Sequence, residues 1–387
     1  MSETLSPREI LARLVAFPTV SDSSNLALID WVEGYLNGWG VTCHRVPNAE
    51  GTKSSLYAVI GPSVPGGIAL SGHSDVVPVE GQAWSSDPFT LTERAGRLYG
   101  RGAADMKGFV ALMLAAVPLA VQARLRRPLY LALSYDEEVG CEGCIGMVAE
   151  MAQRLPAPAG VIVGEPTRLQ VVNGHKGSLA LKVLFTGHEV HASLAPYGVN
   201  ANMEAGRLIA WANEVNATNA AGVPGVAAQA FDPPWTTVQV GRIHGGTADN
   251  ITAGSCWLTL AFRVIPGETV EDWDTRTHAA VDRIRAGMKA VHPSADVTVT
   301  RLYQVPLLAP EPAGGAEALA TELTGQNGAL AVSFATEAGH FQHYGWSTVV
   351  CGPGDIVQAH TPDEYIETAQ LDDGYAFIER IVAWLQA

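Results

Sequence analysis

The stretch Ile68-Ala-Leu-Ser-Gly-His-Ser-Asp-Val-Val-Pro78 links a buried strand to a potential metal ligand, and the same link recurs along the chain. Its apolar run from Ile68 to Leu70 predicts a parallel strand that leads directly into His73 and Asp75. In open α/β sheets, ligands bind just beyond the carboxyl ends of the strands. The stretch therefore predicts that His73 lies at the functional edge of a sheet.

Three further apolar strands are followed by acidic or imidazole side chains. They are Pro128–Ser134 before Asp136-Glu137-Glu138, Gly160–Val163 before Glu165, and Ser347–Cys351 before His360. Asp105 ends the glycine-rich turn Gly100-Arg-Gly-Ala-Ala-Asp105, just ahead of a long apolar segment. Because parallel strands share one carboxyl edge, we expect five potential metal ligands to converge there. These are His73, Asp105, Glu138, Glu165 and His360.

Bulk composition limits the class of protein. A length of 387 residues favours two domains, and a formal charge of −15 argues against nucleic acid or an anionic membrane as a partner. The chain shows no leader segment and no apolar run of membrane-spanning length, so a cytoplasmic enzyme is predicted. Five scattered cysteines fit a reducing compartment. Cys141-Glu-Gly-Cys144 could be a redox or zinc half-site, but it lacks a second pair, and a structural role is favoured.

Periodicity predicts an α/β protein interrupted by a second domain. Helices are predicted from Ser6 to about Ala16, over 25–37 and over 106–123, the last with a kink or early end at Pro118. Residues 178–305 read as β-α-β-β-α-β, which is the ferredoxin-like order. Ligand candidates lie on both sides of this segment. We therefore predict an inserted lid domain at 178–305 and a metal-binding domain formed by 1–177 and 306–387.

Five ligands are too many for one catalytic ion, which keeps a position open for water, but they suit two ions that share a carboxylate. Asp105 is the predicted bridge, because it is the only short carboxylate of the five and lies between two ligand-bearing strands. Taken alone, Asp136-Glu137-Glu138 would be read as a solvated loop, since exposed carboxylates are common. The other four segments favour a metal centre.

Five motifs together resemble those of the co-catalytic metallohydrolase family of acetylornithine deacetylase, succinyl-diaminopimelate desuccinylase, aminoacylase and carboxypeptidases. They are Gly72-His-Ser-Asp-Val-Val-Pro, Arg101-Gly-Ala-Ala-Asp-Met-Lys-Gly, Asp136-Glu-Glu-Val-Gly, Gly164-Glu-Pro-Thr and Ala359-His. The resemblance implies a zinc-exopeptidase-like fold, with a mixed, largely parallel sheet between helices on both faces, and a lid that dimerises. It also implies that the enzyme is a homodimer holding two divalent ions, zinc first, with cobalt or manganese as alternatives.

The same resemblance implies individual roles. His73 and Glu165 would bind one ion, Glu138 and His360 the other, and Asp105 both. Asp75 would hydrogen-bond the imidazole of His73, and Glu137 would be the general base. In the lid, His191 would stabilise the oxyanion in a partner subunit's site, although His188 competes by proximity. Asn250 and Arg263 would bind the substrate carboxylate, with Ala253 a departure from the usual proline.

Two C-terminal stretches resemble the acetylornithine deacetylase branch, which acts in arginine biosynthesis. They are Phe334–Gln342 and Cys351–Tyr365. We hypothesise that Glu337 faces the side-chain ammonium of N-acetylornithine, since a carboxylate favours a cation. The alternatives are a broader N-acyl amino acid hydrolase or dipeptidase, a succinyl-diaminopimelate desuccinylase, and a catalytically silent small-molecule-binding protein on the same fold.

Overall fold

The computed structural model describes residues 3–387. In chain order the strands are β1 (Cys43–Pro47), β2 (Ser54–Ile60), β3 (Ile68–His73), β4 (Thr92–Arg94), β5 (Arg97–Tyr99), β6 (Leu129–Ser134), β7 (Gly160–Pro166), β8 (Val172–His175), β9 (Gly177–Thr186), β10 (Thr237–Gly245), β11 (Ser255–Val264), β12 (Asp296–Val305), β13 (Leu330–Val332), β14 (Thr348–Gly352) and β15 (Tyr365–Glu367). The α-helices are α1 (Pro7–Val15), α2 (Leu26–Gly38), α3 (Lys107–Ala115), α4 (Val117–Gln122), α5 (Glu142–Arg154), α6 (Ala201–Ala221), α7 (Val270–Val291), α8 (Gly315–Thr324), α9 (Ala338–His343) and α10 (Thr368–Gln386). None of the helices within residues 3–387 combines the length and apolar character needed to cross a bilayer.

The chain divides into two compact units. The first comprises the residues up to Gly174 together with Pro310–Ala331 and Thr336–Ala387, and the second comprises His175–Ala309 and Val332–Ala335. The second unit extends beyond the predicted 178–305, because the backbones of His175 and Leu308 pair with each other just before β9 and just after β12. Residues 332–335 were predicted to belong to the metal-binding domain. They belong to the second unit, in which Ser333 donates a hydrogen bond to the carbonyl of Asp232.

The first unit is built on an eight-stranded sheet with the order β1-β2-β6-β3-β7-β14-β8-β13. The four central strands β6, β3, β7 and β14 are parallel to one another, whereas β1 and β2 run antiparallel to their neighbours. This confirms the predicted mixed, largely parallel sheet. The central strands are buried along their whole length, as expected when helices cover both faces.

Alternation along β3 shows how helices cover the two faces. Gly72 faces Met106 and Val110 at the start of α3, where an added Cβ atom would lie 3.0 Å from the Met106 side chain and 3.1 Å from that of Val110. Its neighbour Ser71 points to the opposite face and donates a hydrogen bond to Glu337, directly before α9. The predicted break near Pro118 is confirmed, because helix α3 ends at Ala115 and α4 begins two residues later. A capping box at Ser6 begins α1 as predicted.

The second unit has the predicted ferredoxin-like arrangement. Its elements follow the order β9, α6, β10, β11, α7 and β12, and its sheet has the order β10-β11-β9-β12 with antiparallel neighbours. Alternate residues of β9, including Val183 and Phe185, face a separate core that also contains Leu208 of α6 and Val281 of α7. The unit therefore has its own hydrophobic core and the architecture of an independent domain.

Candidate metal centre

The five predicted ligands come together at the carboxyl edge of the central sheet. His73 is the last residue of β3 and pairs in register with Ser134, the last residue of β6. Glu165 lies near the end of β7, and Glu138 follows β6 by four residues. The parallel register therefore carries side chains that are far apart in sequence to one edge of the sheet.

Asp105 lies between the two histidines. Its Oδ1 lies 3.1 Å from Nε2 of His73, and its Oδ2 lies 3.3 Å from Nε2 of His360. Each oxygen of this buried carboxylate thus faces a different imidazole. This is the geometry expected of a carboxylate that bridges two cations.

The acidic side chains complete two adjacent groups of potential ligands. His73, Glu137 and Glu165 each place one ligand atom within 4.8 Å of the others, and so do His73, Asp105 and Glu138. Within residues 3–387, the Oε1 atoms of Glu138 and Glu165 are buried and have no hydrogen-bond partner. A buried carboxylate oxygen is costly to leave without a donor or a cation. The donor set of imidazoles and carboxylates therefore fits two divalent ions.

Burial opposes the charge of these carboxylates. It raises the pKa of Glu137 to about 8 and that of Glu138 to about 7, and it raises the pKa of Glu165 well above its ordinary value. Asp105 behaves differently, because hydrogen bonds from the two histidines outweigh its burial and lower its pKa. The cluster thus holds more acidic groups than the imidazoles can neutralise, and divalent cations would supply the missing positive charge.

Asp75 organises the loop that carries Glu137 and Glu138. Its carboxylate accepts hydrogen bonds from the backbone N–H groups of both residues, at 3.2 and 3.3 Å, and from the hydroxyl of Ser21 at 2.7 Å. The imidazole Nδ1 of His73 lies 2.9 Å from the carbonyl oxygen of Asp75 and 3.5 Å from its carboxylate. Asp75 thus orients His73 mainly through its main chain, and its carboxylate mainly holds the neighbouring loop.

The predicted lid residues all lie in the second unit. His191 is exposed, and its Nδ1 lies 2.8 Å from the hydroxyl of Ser193. Asn250 is joined to the same region, because its carbonyl accepts a hydrogen bond from the N–H of Ala192. Arg263 is exposed on β11, and its guanidinium makes no hydrogen bond or ion pair within the described part of the chain. An exposed, unpaired guanidinium is available to a ligand carboxylate.

The prediction for Glu337 does not agree with its position. Glu337 has no exposed surface, and its two carboxylate oxygens accept hydrogen bonds from the hydroxyls of Ser71 and Ser134, both at 2.6 Å. Those serines lie on β3 and β6, close to the ends that carry the metal ligands. The carboxylate therefore joins two strands inside the protein and does not face an open substrate pocket.

Replacing Glu337 with alanine is expected to destabilise the fold by roughly 3 kcal/mol, because two buried serine hydroxyls lose a charged acceptor. Its effect on kcat/KM should be the same for N-acetylornithine and for the uncharged isostere N-acetylnorleucine. Denaturant unfolding and parallel kinetics with the two substrates would test this. A markedly larger loss with N-acetylornithine would show instead that Glu337 contacts the side-chain ammonium.

Sequence reasoning assigned no role to three residues that contact the ligand-bearing loops. These are Gln82, Arg101 and Glu364, which link the backbones of Asp105 and His360. Two of them could have been identified from the sequence, because Arg101 and Glu364 are charged residues inside segments that already contain predicted ligands.

Comparison with known proteins defines the class to which this site belongs. Residues 69–384 match the model of peptidase family M20/M25/M40. The chain belongs to this family and is a metal-dependent hydrolase. Membership of the family implies divalent metal ions, in agreement with the possible dinuclear site around Asp105.

Individual relatives refine the comparison. The chain is 35% identical to an acetylornithine deacetylase of Proteus mirabilis, covering 94% of this chain and 92% of that protein. It is 36% identical to an acetylornithine deacetylase of Myxococcus xanthus, covering 99% and 98% of the two chains. Among solved structures, an M20 family metallo-carboxypeptidase from Sulfolobus solfataricus matches with a TM-score of 0.76 at 18% identity over 100% of both chains. Human carnosine dipeptidase 1 matches with a TM-score of 0.73 at 15% identity, covering 98% and 96%.

Proposed function

We propose that this chain hydrolyses the N-acetyl amide of N2-acetyl-L-ornithine to acetate and L-ornithine. The observation that carries the proposal is the position of Asp105, whose two carboxylate oxygens each face a different imidazole at the carboxyl edge of the sheet. Relatives at 33–36% identity over nearly the whole chain are named acetylornithine deacetylase, and this supports the choice of substrate. A cytoplasmic location stays a prediction.

The proposed ligand set divides into two groups around the bridging Asp105. His73 and Glu165 would hold one cation, and Glu138 and His360 would hold the other. Zinc is the proposed ion, with cobalt and manganese as alternatives, because imidazole and carboxylate donors accept all three. Two divalent cations held there would polarise the scissile carbonyl and lower the pKa of a water molecule.

Glu137 is the proposed general base. Its carboxylate lies within 4.8 Å of ligand atoms of His73 and Glu165, so it can reach a water molecule placed between these residues. Its raised pKa suits a group that takes a proton near neutral pH and returns it to the leaving amine. Asp75 would keep Glu137 in place through the hydrogen bond that its carboxylate accepts from the backbone of that loop.

The substrate carboxylate is proposed to bind Arg263, with Asn250 nearby. We also propose a homodimer formed through the lid, in which His191 stabilises the oxyanion in the partner's active site. Support comes from the exposure of His191 and from the guanidinium of Arg263, which has no ion-pair partner among residues 3–387. The position of Glu337 removes the one residue expected to select an ammonium side chain. A broader N-acyl amino acid hydrolase is therefore the competing proposal.

An acetate-release assay with a matched set of substrates would test the proposed specificity. We expect kcat/KM for N-acetylornithine to exceed that for N-acetylnorleucine by at least about tenfold, the change given by about 1.4 kcal/mol of differential binding. Equal values would favour the broader hydrolase. If the chain prefers N-succinyl-diaminopimelate and releases succinate, or prefers a dipeptide and releases amino acids, the proposed substrate is wrong.

A further inference from the structure

We propose that the buried ion pair between Arg101 and Glu364 positions the backbones of two ligands, Asp105 and His360. Through them it would set the affinity for the cation held by Glu138 and His360. The inference rests on the proposed two-metal function. Arg101 and Glu364 would be positioning residues, because neither directs a side-chain atom to the proposed cation sites.

Glu364 holds the turn that carries the bridging carboxylate. Its side chain is 1% exposed, and its Oε1 accepts hydrogen bonds from the backbone N–H groups of Ala104 at 2.9 Å and Asp105 at 3.1 Å. Its Oε2 lies 2.7 Å from Nη1 of Arg101. Glu364 therefore fixes the peptide that precedes the Asp105 side chain, and Arg101 fixes Glu364.

Arg101 continues the connection to the second ligand. Its Nη2 donates a hydrogen bond to Oε1 of Gln82, and Nε2 of Gln82 donates to the carbonyl of His360 at 2.8 Å. The indole N–H of Trp84 also donates to Oε1 of Gln82, which keeps this side chain in one orientation. A single hydrogen-bonded chain thus runs from the backbone of Asp105 to the backbone of His360.

The two sides of the metal centre differ in how much they depend on this connection. His73 is fully buried at the end of a central strand, and its Nδ1 is held by the carbonyl of Asp75. The side chain of His360 is 52% exposed, and the residue lies in a loop with a left-handed φ of 61°. Since packing holds His360 only weakly, its position depends on backbone contacts such as the one from Gln82. Loss of the connection should weaken the His360 side of the centre first.

Stabilisation of the fold does not by itself explain this ion pair. A buried salt bridge commonly adds little stability compared with apolar side chains of the same volume, because both charges lose their hydration. This pair directs its remaining hydrogen bonds to the backbones of ligand-bearing loops. Residues that orient metal ligands typically change metal affinity by about 10–100-fold when they are replaced.

The test is a zinc titration of the chelator-treated protein against a competing chromophoric chelator, which gives the two dissociation constants without any substrate. In Glu364→Gln, which removes the charge but keeps the shape, we expect the weaker constant to rise by about 10–100-fold. The tighter constant should rise by a clearly smaller factor, since the cation held by His73 and Glu165 shares only Asp105 with the disturbed side and His73 keeps its own supports. Gln82→Ala should produce the same pattern with the ion pair left in place. Glu367→Gln is the matched control, because Glu367 is exposed and its side chain forms an ion pair with the partly exposed Arg97, away from the ligand-bearing loops.

Thermal unfolding of the metal-free variants separates positioning from folding. Wild-type affinities for both ions in Glu364→Gln and Gln82→Ala, whatever their unfolding temperature, would overturn the inference. An equal rise of both constants would also overturn it, because the effect would not be selective. If the unsubstituted chain binds fewer than two ions in this assay, the proposed two-metal function itself fails, and this result is distinct from failure of the positioning role. Should Glu364→Gln not fold, Gln82→Ala alone decides the question.

Discussion

Replacing Glu137 with alanine is expected to abolish measurable turnover while the chain still binds close to two metal ions. General acid–base catalysis contributes roughly 10²–10⁴-fold to a rate, so kcat should fall by at least that factor. Burial raises the pKa of Glu137 to about 8, and its backbone is held by Asp75, so the carboxylate is suited to move a proton. The metal content should survive because the five proposed ligands are unchanged. An acetate-release assay would measure kcat, and metal analysis of the purified variant would measure the number of bound ions.

Glu142→Gln provides a matched control for this experiment. Glu142 is an exposed residue five positions further along the same loop, at the start of α5, and it belongs to neither group of potential ligands. Its replacement should leave kcat within about twofold of wild type, as expected for an exposed side chain away from the site. Loss of one ion from Glu137→Ala would contradict the general-base assignment. Glu137 would then be a ligand, which its proximity to His73 and Glu165 permits.

Much of the site could be predicted because parallel strands impose a simple geometry. An apolar strand followed by a polar side chain places that side chain at the carboxyl edge, and β3 and β7 carry His73 and Glu165 there. The order of elements in the second unit could be predicted in the same way, from the alternation of strand and helix periods between 178 and 305. Such patterns depend only on local sequence and on the backbone.

The direction of individual carboxylates could not be predicted in this way. In the sequence Glu337 and Glu137 are both glutamates near predicted ligands. The carboxylate of Glu337 nevertheless lies in the interior and accepts hydrogen bonds from two serine hydroxyls. Alternation along β3 puts Ser71 and His73 on one face, so a hydroxyl beneath the metal site was predictable. The carboxylate that accepts its hydrogen bond comes from a segment 266 residues away, and only the packing of α9 against the sheet brings it there.

The boundaries of the second unit show the same limit. The sequence pattern begins with β9 and ends with β12, but the backbone pairing of His175 with Leu308 continues beyond these two strands. Residues 332–335, from a distant part of the chain, also belong to this unit, and Ser333 donates a hydrogen bond to the carbonyl of Asp232 there. These contacts join segments without any periodic pattern, and tertiary packing decides them.

Replacing Asp105 with asparagine is expected to impair both metal positions together, unlike any other single ligand change. Its Oδ1 faces His73 and its Oδ2 faces His360, and the hydrogen bonds from both imidazoles keep its pKa low. An amide keeps the shape but presents one neutral oxygen and one N–H group, so it cannot bridge two cations. Because two cations held there would together supply several kcal/mol of transition-state stabilisation, kcat/KM should fall by roughly 10³-fold or more. Metal content should fall below one ion per chain.

His360→Ala is the comparison that makes the Asp105 result specific to bridging. His360 contacts Asp105 and Glu138, and in the proposed ligand set it completes only the second cation site, so its loss should release one ion and leave the other bound. Metal analysis of the two variants after identical dialysis would then give about one ion for His360→Ala and less for Asp105→Asn. If Asp105→Asn retained two ions, the two cations would not share this carboxylate. The close approach of both imidazoles to Asp105 would then reflect ordinary hydrogen bonding within a buried acidic cluster, and the two-metal mechanism would lose its main structural support.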